Sequence, residues 1–350
     1  MRWCAASFVI LLSLIVGPSV FADGHVYIDS THTRLLSEAQ RAILNDQFDQ
    51  ADSIADCITA LSPRDPAGRV TRAASMLARM TWAEDNLFGD RFGRLLDTIQ
   101  HLCTVELDSA DRERKAWLYL FLGHTQAYRS LYESRFGSSF TAVRVGLRTR
   151  TYYGAGLEQD SSLSDLYFGL GSYHYWKSVK AGVFRWLGLF HNDINLGIAE
   201  LYRAADSSLF SRDVARNALA WVWLDREQYD SVIALTESMQ SSYPLGTSFL
   251  WPLARSRWDK KEYAAAYDVY SRLRGLLKDQ PGNYFNLVEC DYYLSACREK
   301  GGDKVAAAAE AIRLNEYDRY IPPRTRERQA DKLRYLARLI ESVETTASTE

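Results

Sequence analysis

The sequence NALAWVWLDREQYDSV at residues 217–232 is followed 34 residues later by WPLARSRWDKKEYAAA at residues 251–266. Each copy has a Leu-Ala pair, a tyrosine nine residues after the alanine, and an apolar residue three positions after the tyrosine. Internal similarity at a period of about 34 residues is typical of stacked helix–turn–helix units. Apolar residues elsewhere also recur at intervals of three and four, the period of an α-helix. The sequence therefore predicts an all-α chain of repeated helix pairs.

The same spacing recurs less completely near both ends of the chain. Phe48 lies nine residues after Ala39 and three before Ala51, and Val305 lies nine residues after Ala296. Small residues where two helices cross let the backbones approach closely, because interaxial distance depends on the side chains at the contact. The aromatic ring then fills the space beside the following pair. With these partial copies, the regular pattern covers about residues 33–62 and 210–313.

These residues resemble the tetratricopeptide (TPR) repeat, a helix–turn–helix of about 34 residues. The resemblance implies a TPR-like α-solenoid, a right-handed superhelix of antiparallel helix pairs, over residues 33–322. We expect a C-terminal capping helix over residues 323–343, because the last repeat of a solenoid needs a polar outer face. Residues 344–350 are predicted to be a disordered tail.

The central repeats depart from the regular spacing. The pairs Leu122-Gly123 and Leu170-Gly171 lie 48 residues apart, so we predict irregular, elongated central repeats with an insert near residues 178–191. This apolar insert has two interpretations. A plug inside the solenoid is favoured because too many of its faces are apolar, and an interfacial amphipathic segment is the alternative. The block 167–198 is also similar to the central block of inclusion-body-clearance TPR proteins and their bacterial relatives.

The first 22 residues have the pattern of a secretory signal peptide. Arg2 precedes an apolar run over residues 5–16, and Val20-Phe21-Ala22 has the small-x-small form of a cleavage site. The run is shorter than the roughly 20 residues that a transmembrane helix needs, so we predict no transmembrane segment in the mature chain. We expect cleavage after Ala22, a flexible segment over residues 23–32, and a secreted or periplasmic location.

The charge balance bears on the class of partner. The chain has 42 Lys and Arg against 44 Asp and Glu, whereas nucleic-acid binding requires sustained excess positive charge. We therefore predict no nucleic-acid partner. Basic residues do cluster locally, at Arg144, Arg148 and Arg150 and again over residues 324–328.

The cysteines of the mature chain bear on its redox state. Cys290 and Cys297 share a predicted helix, where seven residues span roughly 10 Å. That separation exceeds the ~7 Å between Cα atoms that a disulfide can bridge, so we predict buried free thiols. A bridge between Cys57 and Cys103 is left open.

The sequence contains none of the patterns HExxH, GxSxG or CxxC that mark common catalytic and metal sites. We predict no catalysis, no cofactor and no metal site. His124 and His174 occupy equivalent neighbourhoods of two helical repeats, and we interpret both as interior histidines with satisfied hydrogen bonds.

In the TPR register, the first helices of successive pairs line a concave groove. Its predicted wall is rich in aromatic rings, with one arginine and one asparagine. The candidates are Phe168, Tyr175, Trp176, Asn217, Trp221, Trp251, Arg255, Trp258 and Tyr293. Aromatic and arginine side chains are the usual anchors of binding interfaces. Packing of the same rings in the core is the alternative interpretation.

The leading hypothesis is an exported, non-enzymatic scaffold or adaptor of the cell envelope that binds a protein or peptide partner in this groove. The alternative is a glycan-binding or cell-wall-binding helical envelope protein, which could also be hydrolytic. The series Trp221, Trp251 and Trp258 motivates the alternative, because sugar rings stack on exposed aromatic faces.

Overall fold

A computed structural model describes residues 30–180, 192–280 and 282–347, and regular secondary structure within these ranges is entirely helical. The α-helices there are α1 (Ser30–Leu44), α2 (Phe48–Leu61), α3 (Ala67–Ala83), α4 (Gly89–Leu107), α5 (Arg112–Phe136), α6 (Ser139–Gln159), α7 (Asp165–Lys180), α8 (Ile194–Ser207), α9 (Arg212–Asp225), α10 (Tyr229–Met239), α11 (Leu250–Asp259), α12 (Tyr263–Leu277), α13 (Tyr284–Lys300), α14 (Lys304–Ala311), α15 (Pro323–Arg328) and α16 (Ala330–Ala347). Two short 3₁₀ helices, Ile312–Glu316 and Asp318–Tyr320, lie between α14 and α15. The prediction of an all-α fold is confirmed.

Consecutive helices pack against one another along the described chain. The odd-numbered helices from α1 to α11 also contact each other in order, as expected when helix pairs stack side by side. We number the pairs one to eight, from α1 and α2 to α15 and α16. The arrangement is consistent with an all-α solenoid.

One backbone turn recurs between the two helices of a pair. Asp46, Glu227 and Lys261 have positive φ angles of 58°, 56° and 63°, and each lies two residues before the second helix begins. In each turn the next residue donates its N–H to the carbonyl oxygen five residues earlier, at 2.8–2.9 Å. This combination is the Schellman motif that ends an α-helix. The register of the sequence repeat is therefore confirmed in the first, fifth and sixth pairs.

Small residues permit a close crossing of α7 and α8. A Cβ atom on Gly171 would lie 2.7 Å from the carbonyl oxygen of Gly197, and one on Gly197 would lie 2.7 Å from the backbone nitrogen of Tyr175. Close-packed interiors do not tolerate such overlaps. Glycine at positions 171 and 197 therefore lets the two helices approach to backbone contact.

The central helices are the longest of those described. α5 has 25 residues and α6 has 21, so the prediction of elongated central helices is confirmed. The largest hydrophobic core runs from α2 to α7 and includes Phe92, Leu118 and Tyr153. A second core joins the helices from α11 to α16, and a smaller one lies between α7 and α9.

The first helix pair contacts the segment that precedes α11. The carboxylate of Asp46 accepts hydrogen bonds from the backbone N–H of Thr247 at 2.8 Å and from its hydroxyl at 2.7 Å. Leu44 packs with Phe249 in one apolar cluster. A Cβ atom on Gly246 would lie 2.0 Å from the carbonyl oxygen of Leu44. Glycine is therefore required for this close approach.

Similar contacts join later pairs. Asn286 of α13 donates through Nδ2 to the carbonyl oxygen of Trp82 at the end of α3, at 2.6 Å. Glu84, just after α3, forms an ion pair with Arg328 of α15 at 2.8 Å. Arg324 of α15 donates to the carbonyl oxygen of residue 135 near the end of α5, at 3.1 Å. The first pair thus meets the segment between the fifth and sixth pairs, the second pair meets the seventh and eighth, and the third meets the eighth.

The helix boundaries differ from the predicted boundaries at both ends of the described chain. α1 begins at Ser30, so residues 30–32 are helical. Two helices, α15 and α16, stand where a single capping helix was predicted, and α16 continues to Ala347. The chain turns at Gln329, because its buried side-chain amide donates to the Phe285 carbonyl oxygen at 3.1 Å and to a Glu289 oxygen at 2.9 Å.

Two further predictions fall outside the described residues. The predicted signal peptide with its cleavage site lies within residues 1–29, and most of the predicted apolar insert lies within residues 181–191.

The four cysteines of the described chain are free thiols. The prediction for Cys290 and Cys297 is confirmed, since both are buried and unbridged. A Cys57–Cys103 bridge is absent because Cys57 is exposed while Cys103 lies in the core around α4 and α5. Burial raises the pKa of Cys103 and Cys297 to about 12, so both stay protonated at neutral pH.

Candidate partner-binding site

The nine predicted groove residues all lie on odd-numbered helices. Phe168, Tyr175 and Trp176 belong to α7, Asn217 and Trp221 to α9, Trp251, Arg255 and Trp258 to α11, and Tyr293 to α13. Trp221 and Arg255 are exposed, Tyr175 and Tyr293 are buried, and the remaining five are half-buried. The structure therefore brings only part of the set to the surface.

Arg255 is the centre of the group on α11. Its Nε donates to both carboxylate oxygens of Asp259, at 2.9 and 3.1 Å, and its Nη1 donates to the hydroxyl of Tyr293 at 2.8 Å. Its side chain nevertheless stays 48% exposed. A guanidinium has five N–H donors, and these contacts use two of them. Arg255 is thus fixed in place while further donors remain accessible to a ligand.

Aromatic rings pack tightly beneath Arg255. Tyr270 stacks on Tyr293 with 4.6 Å between ring centroids, and Trp258 meets Tyr293 edge-on at 5.0 Å. Trp251 meets Tyr270 edge-on at 6.5 Å. Burial raises the pKa of Tyr293 to about 12. Tyr293 was predicted to line the groove and is instead covered by these rings, because α12 and α13 pack their aromatic side chains directly against α11.

Trp221 on α9 occupies the repeat position of Arg255, 34 residues earlier. Its side chain is 39% exposed, which leaves a large apolar surface accessible. Asn217, at the repeat position of Trp251, donates through Nδ2 to the carbonyl oxygen of Ser248 at 2.8 Å. That bond joins α9 to the segment before α11. Asn217 therefore positions the two helices that present Trp221 and Arg255.

The three candidates on α7 belong to an apolar core. Phe168, Tyr175 and Trp176 pack there against α8 and α9, and the rings of Tyr175 and Trp176 meet edge-on at 5.1 Å. Tyr175 is 1% exposed, and its hydroxyl donates to Asp225 at 2.6 Å. Tyr175 was predicted to line the groove and is a core residue, because α8 crosses α7 in backbone contact at this position. The core-packing alternative is thus confirmed for Tyr175.

The packing of Tyr153 between two glycines was not predicted from the sequence. A Cβ atom on Gly123 of α5 would lie 2.3 Å from the ring of Tyr153, and one on Gly169 of α7 would lie 2.0 Å from it. The hydroxyl of Tyr153 is hydrogen-bonded to Nδ1 of His124 at 2.7 Å. Burial lowers the pKa of His124 to about 4, so its ring is neutral at pH 7. Both glycines stand out in the sequence, but the ring between them comes from a third helix, α6.

A cleft of about 580 Å³ lies between α6 and α7, and its lining includes Arg150, Glu158 and His174. Nδ1 of His174 is hydrogen-bonded to a carboxylate oxygen of Glu200 at 2.6 Å. Since His174 is buried and His124 bonds Tyr153, the prediction that both histidines are interior and hydrogen-bonded is confirmed.

Within the part of the chain that the structure describes, no group of three or more His, Cys, Asp or Glu side chains could hold a metal ion. No helix in the same ranges is long and apolar enough to cross a bilayer. Comparison with models of known protein families finds no match, and comparison with curated proteins finds no significant relative. Fold and site together define the class, an all-α protein of stacked helix pairs with an arginine–aromatic surface.

Proposed function

We propose that this protein is an exported, TPR-like scaffold or adaptor that binds a protein or peptide partner without catalysis or a cofactor. The binding site is the α9–α11 surface, formed by Trp221, Trp251, Arg255 and Trp258. One observation carries the proposal: Asp259 and Tyr293 hold Arg255 while half of its side chain stays accessible. An anchor that is already ordered loses little conformational freedom on binding. Arginine and tryptophan are also the residues enriched at binding hot spots.

In this proposal the helix pairs wind into a right-handed superhelix with about five pairs in each turn. The first pair contacts the segment just before the sixth pair, and the second pair contacts the seventh and eighth. These contacts support this superhelix, since they join parts of the chain that are about five pairs apart. The TPR resemblance supports the handedness. Odd-numbered helices then line the inside of the superhelix, and the α9–α11 surface is part of its concave wall.

The α9–α11 surface suits an extended peptide segment. Neighbouring packed helices lie about 10 Å apart, and an extended chain rises about 3.3 Å per residue. Trp221 and Arg255 occupy equivalent positions on such neighbouring helices, so they can contact side chains about two to four residues apart on one face of the peptide. Arg255 supplies donors for a carboxylate or carbonyl oxygen, and Trp221 supplies an apolar contact.

Affinity capture from cell-envelope extract tests the proposal. The Trp221→Ala/Arg255→Ala double variant should lose the partner that the wild type retains. The matched control is Leu61→Ala/Arg34→Ala. Leu61 is a large apolar residue on α2 that is 57% exposed, and Arg34 is an exposed arginine that forms an ion pair with Glu38. An unchanged partner list for the Trp221→Ala/Arg255→Ala variant would contradict the proposal.

A glycan-binding or cell-wall-binding role is the alternative function, and the exposed ring of Trp221 favours it. The other rings fit it less well, because Trp251 and Trp258 are half-buried and each packs edge-on against a tyrosine. Sedimentation with purified peptidoglycan distinguishes the two roles. Cosedimentation that Trp221→Ala abolishes would favour the alternative, and no cosedimentation would exclude it.

A further inference from the structure

One face of α6 exposes an apolar stripe to solvent. Phe140, Val143 and Leu147 are 79%, 67% and 53% exposed, and their spacing of three and four residues places them on one side of the helix. The opposite side of α6, which includes Val145 and Tyr153, is buried. The helix is therefore apolar on two opposite sides, and only one of them is covered by this protein.

Three exposed arginines border this stripe: Arg144, Arg148 and Arg150. With 3.6 residues per turn, Arg144 and Arg148 lie on one side of the stripe and Arg150 lies on the other. None of the three has a carboxylate partner among residues 30–180, 192–280 and 282–347. The single acidic residue of α6, Glu158, lies beyond the stripe, 11 residues after Leu147, about 16 Å along the helix.

We propose that this face of α6 binds the surface of an anionic lipid bilayer. Helices that lie in a membrane interface bury an apolar stripe at the boundary between headgroups and acyl chains, and carry Lys or Arg beside it. The arginines of α6 have long apolar stems, which lets their guanidinium groups reach the phosphates while Phe140 and Val143 insert.

Charge complementarity favours an anionic bilayer as the binding partner of this face. Cations attract an anionic leaflet within about a Debye length of its surface, and α6 has three cations and no acid along the stripe. The stripe lies on the second helix of the third pair, apart from the α9–α11 surface on the first helices of the fifth and sixth pairs. Lipid binding here therefore does not depend on the proposed partner binding there.

Vesicle flotation tests the proposal with the purified protein, keeping the same N-terminus in every variant. The wild type should float with vesicles of 30% phosphatidylglycerol in phosphatidylcholine, and much less with phosphatidylcholine alone. Arg144→Gln/Arg148→Gln/Arg150→Gln should weaken binding about a hundredfold, because each cation near an anionic leaflet contributes several-fold in affinity. Phe140→Ser/Val143→Ser should weaken it about tenfold or more, because the inserted apolar area is lost.

Two matched controls distinguish binding through the α6 face from binding through the overall charge or hydrophobicity of the protein. Arg41→Gln/Arg64→Gln/Arg212→Gln removes the same charge from three exposed, dispersed arginines, and Val305→Ser removes an apolar side chain that is 78% exposed on α14. Both controls should bind vesicles like the wild type.

Two outcomes would overturn the proposal. If the dispersed arginine variant loses as much binding as the α6 variant, the attraction is a property of overall charge. If the wild type does not float, another protein or residues 181–191 of this chain must cover the face. Circular dichroism shows for each variant whether the helical fold is retained.

Discussion

Asp46 and Thr247 are 201 positions apart in the sequence, yet the Asp46 carboxylate accepts two hydrogen bonds from Thr247, at 2.8 and 2.7 Å. Burial raises the pKa of Asp46 to about 6, although both Thr247 bonds favour the ionised form. The contact fastens the first helix pair to the segment before α11. Protonation of the Asp46 carboxyl group is therefore coupled to the contact between the first helix pair and this segment.

The free energy of unfolding should depend on pH through Asp46. Its folded-state pKa of about 6 lies above the usual aspartate value of 3.8, so the folded state binds the proton more tightly. The stabilisation that Asp46 gains by protonation is complete below pH 3.8 and is lost as pH rises through 6. Asp46→Asn should therefore raise stability at pH 7.5, by up to about 3 kcal/mol for a shift of this size.

Urea unfolding at pH 5.0 and pH 7.5 measures this effect as the difference between wild type and Asp46→Asn. That difference should be larger at pH 7.5. The control Asp108→Asn changes an exposed carboxylate and should show no such difference. A stabilisation by Asp46→Asn that is larger at pH 5.0 would contradict this interpretation.

The glycines on either side of Tyr153 should resist substitution. Gly169→Ala would place a methyl group 2.0 Å from the Tyr153 ring, and overpacking of a well-packed core costs about 1–3 kcal/mol. Gly154→Ala is the matched control on α6, because no atom lies within 4 Å of its added Cβ. This control should gain up to about 1 kcal/mol from helix propensity. Equal changes in unfolding temperature for the two substitutions would show that the Tyr153 ring does not pack tightly against Gly169.

The buried ion pair of Arg274 and Asp291 should be essential for the C-terminal pairs. Asp291 is fully buried, accepts from Arg274 Nε at 2.6 Å, and accepts from the Tyr317 hydroxyl at 2.8 Å. Asp291→Ala leaves a buried guanidinium without its main partner, which costs about 3–5 kcal/mol. Asp331→Ala breaks a surface pair with Arg334 and should have little effect on urea unfolding. A small loss in Asp291→Ala would refute this role of the pair.

The cysteines should differ sharply in reactivity. Cys57 is exposed, whereas Cys103, Cys290 and Cys297 are buried, and burial raises the pKa of each buried thiol. The thiolate is the reactive form, so N-ethylmaleimide should modify Cys57 first in the native protein. Peptide mapping by mass spectrometry identifies the modified residue. Fast modification of Cys103 under native conditions would contradict the packing around α4 and α5.

The local repeat could be predicted from the sequence because its signals lie close together in the chain. The nine residues from Ala220 to Tyr229 include the end of α9 and the turn that leads to α10. The turn is short, and Glu227 adopts a positive φ angle in it. The long-range contact between Asp46 and Thr247 could not be predicted. Whether Asp46 reaches Thr247 depends on how all the helix pairs between them pack, and no short motif encodes that arrangement.

The candidate site was predicted in part for the same reason. Position in the repeat placed Trp221 and Arg255 correctly at the surface, because each needs only its own helix to be oriented. Tyr175 and Tyr293 were also predicted to line the groove from their repeat positions but are buried. Their burial depends on how closely neighbouring helices approach, which a pattern within one helix does not reveal.

Site-specific photocrosslinking tests the central proposal, partner binding at the α9–α11 surface, most directly. A photoreactive amino acid replaces Trp221 in one variant and Leu61 in another, and both positions are exposed. Irradiation of intact cells should yield a discrete crosslinked product from position 221 that Arg255→Ala in the same chain diminishes, and none from position 61. No product from position 221, or the same product from both positions, would contradict the proposed binding surface.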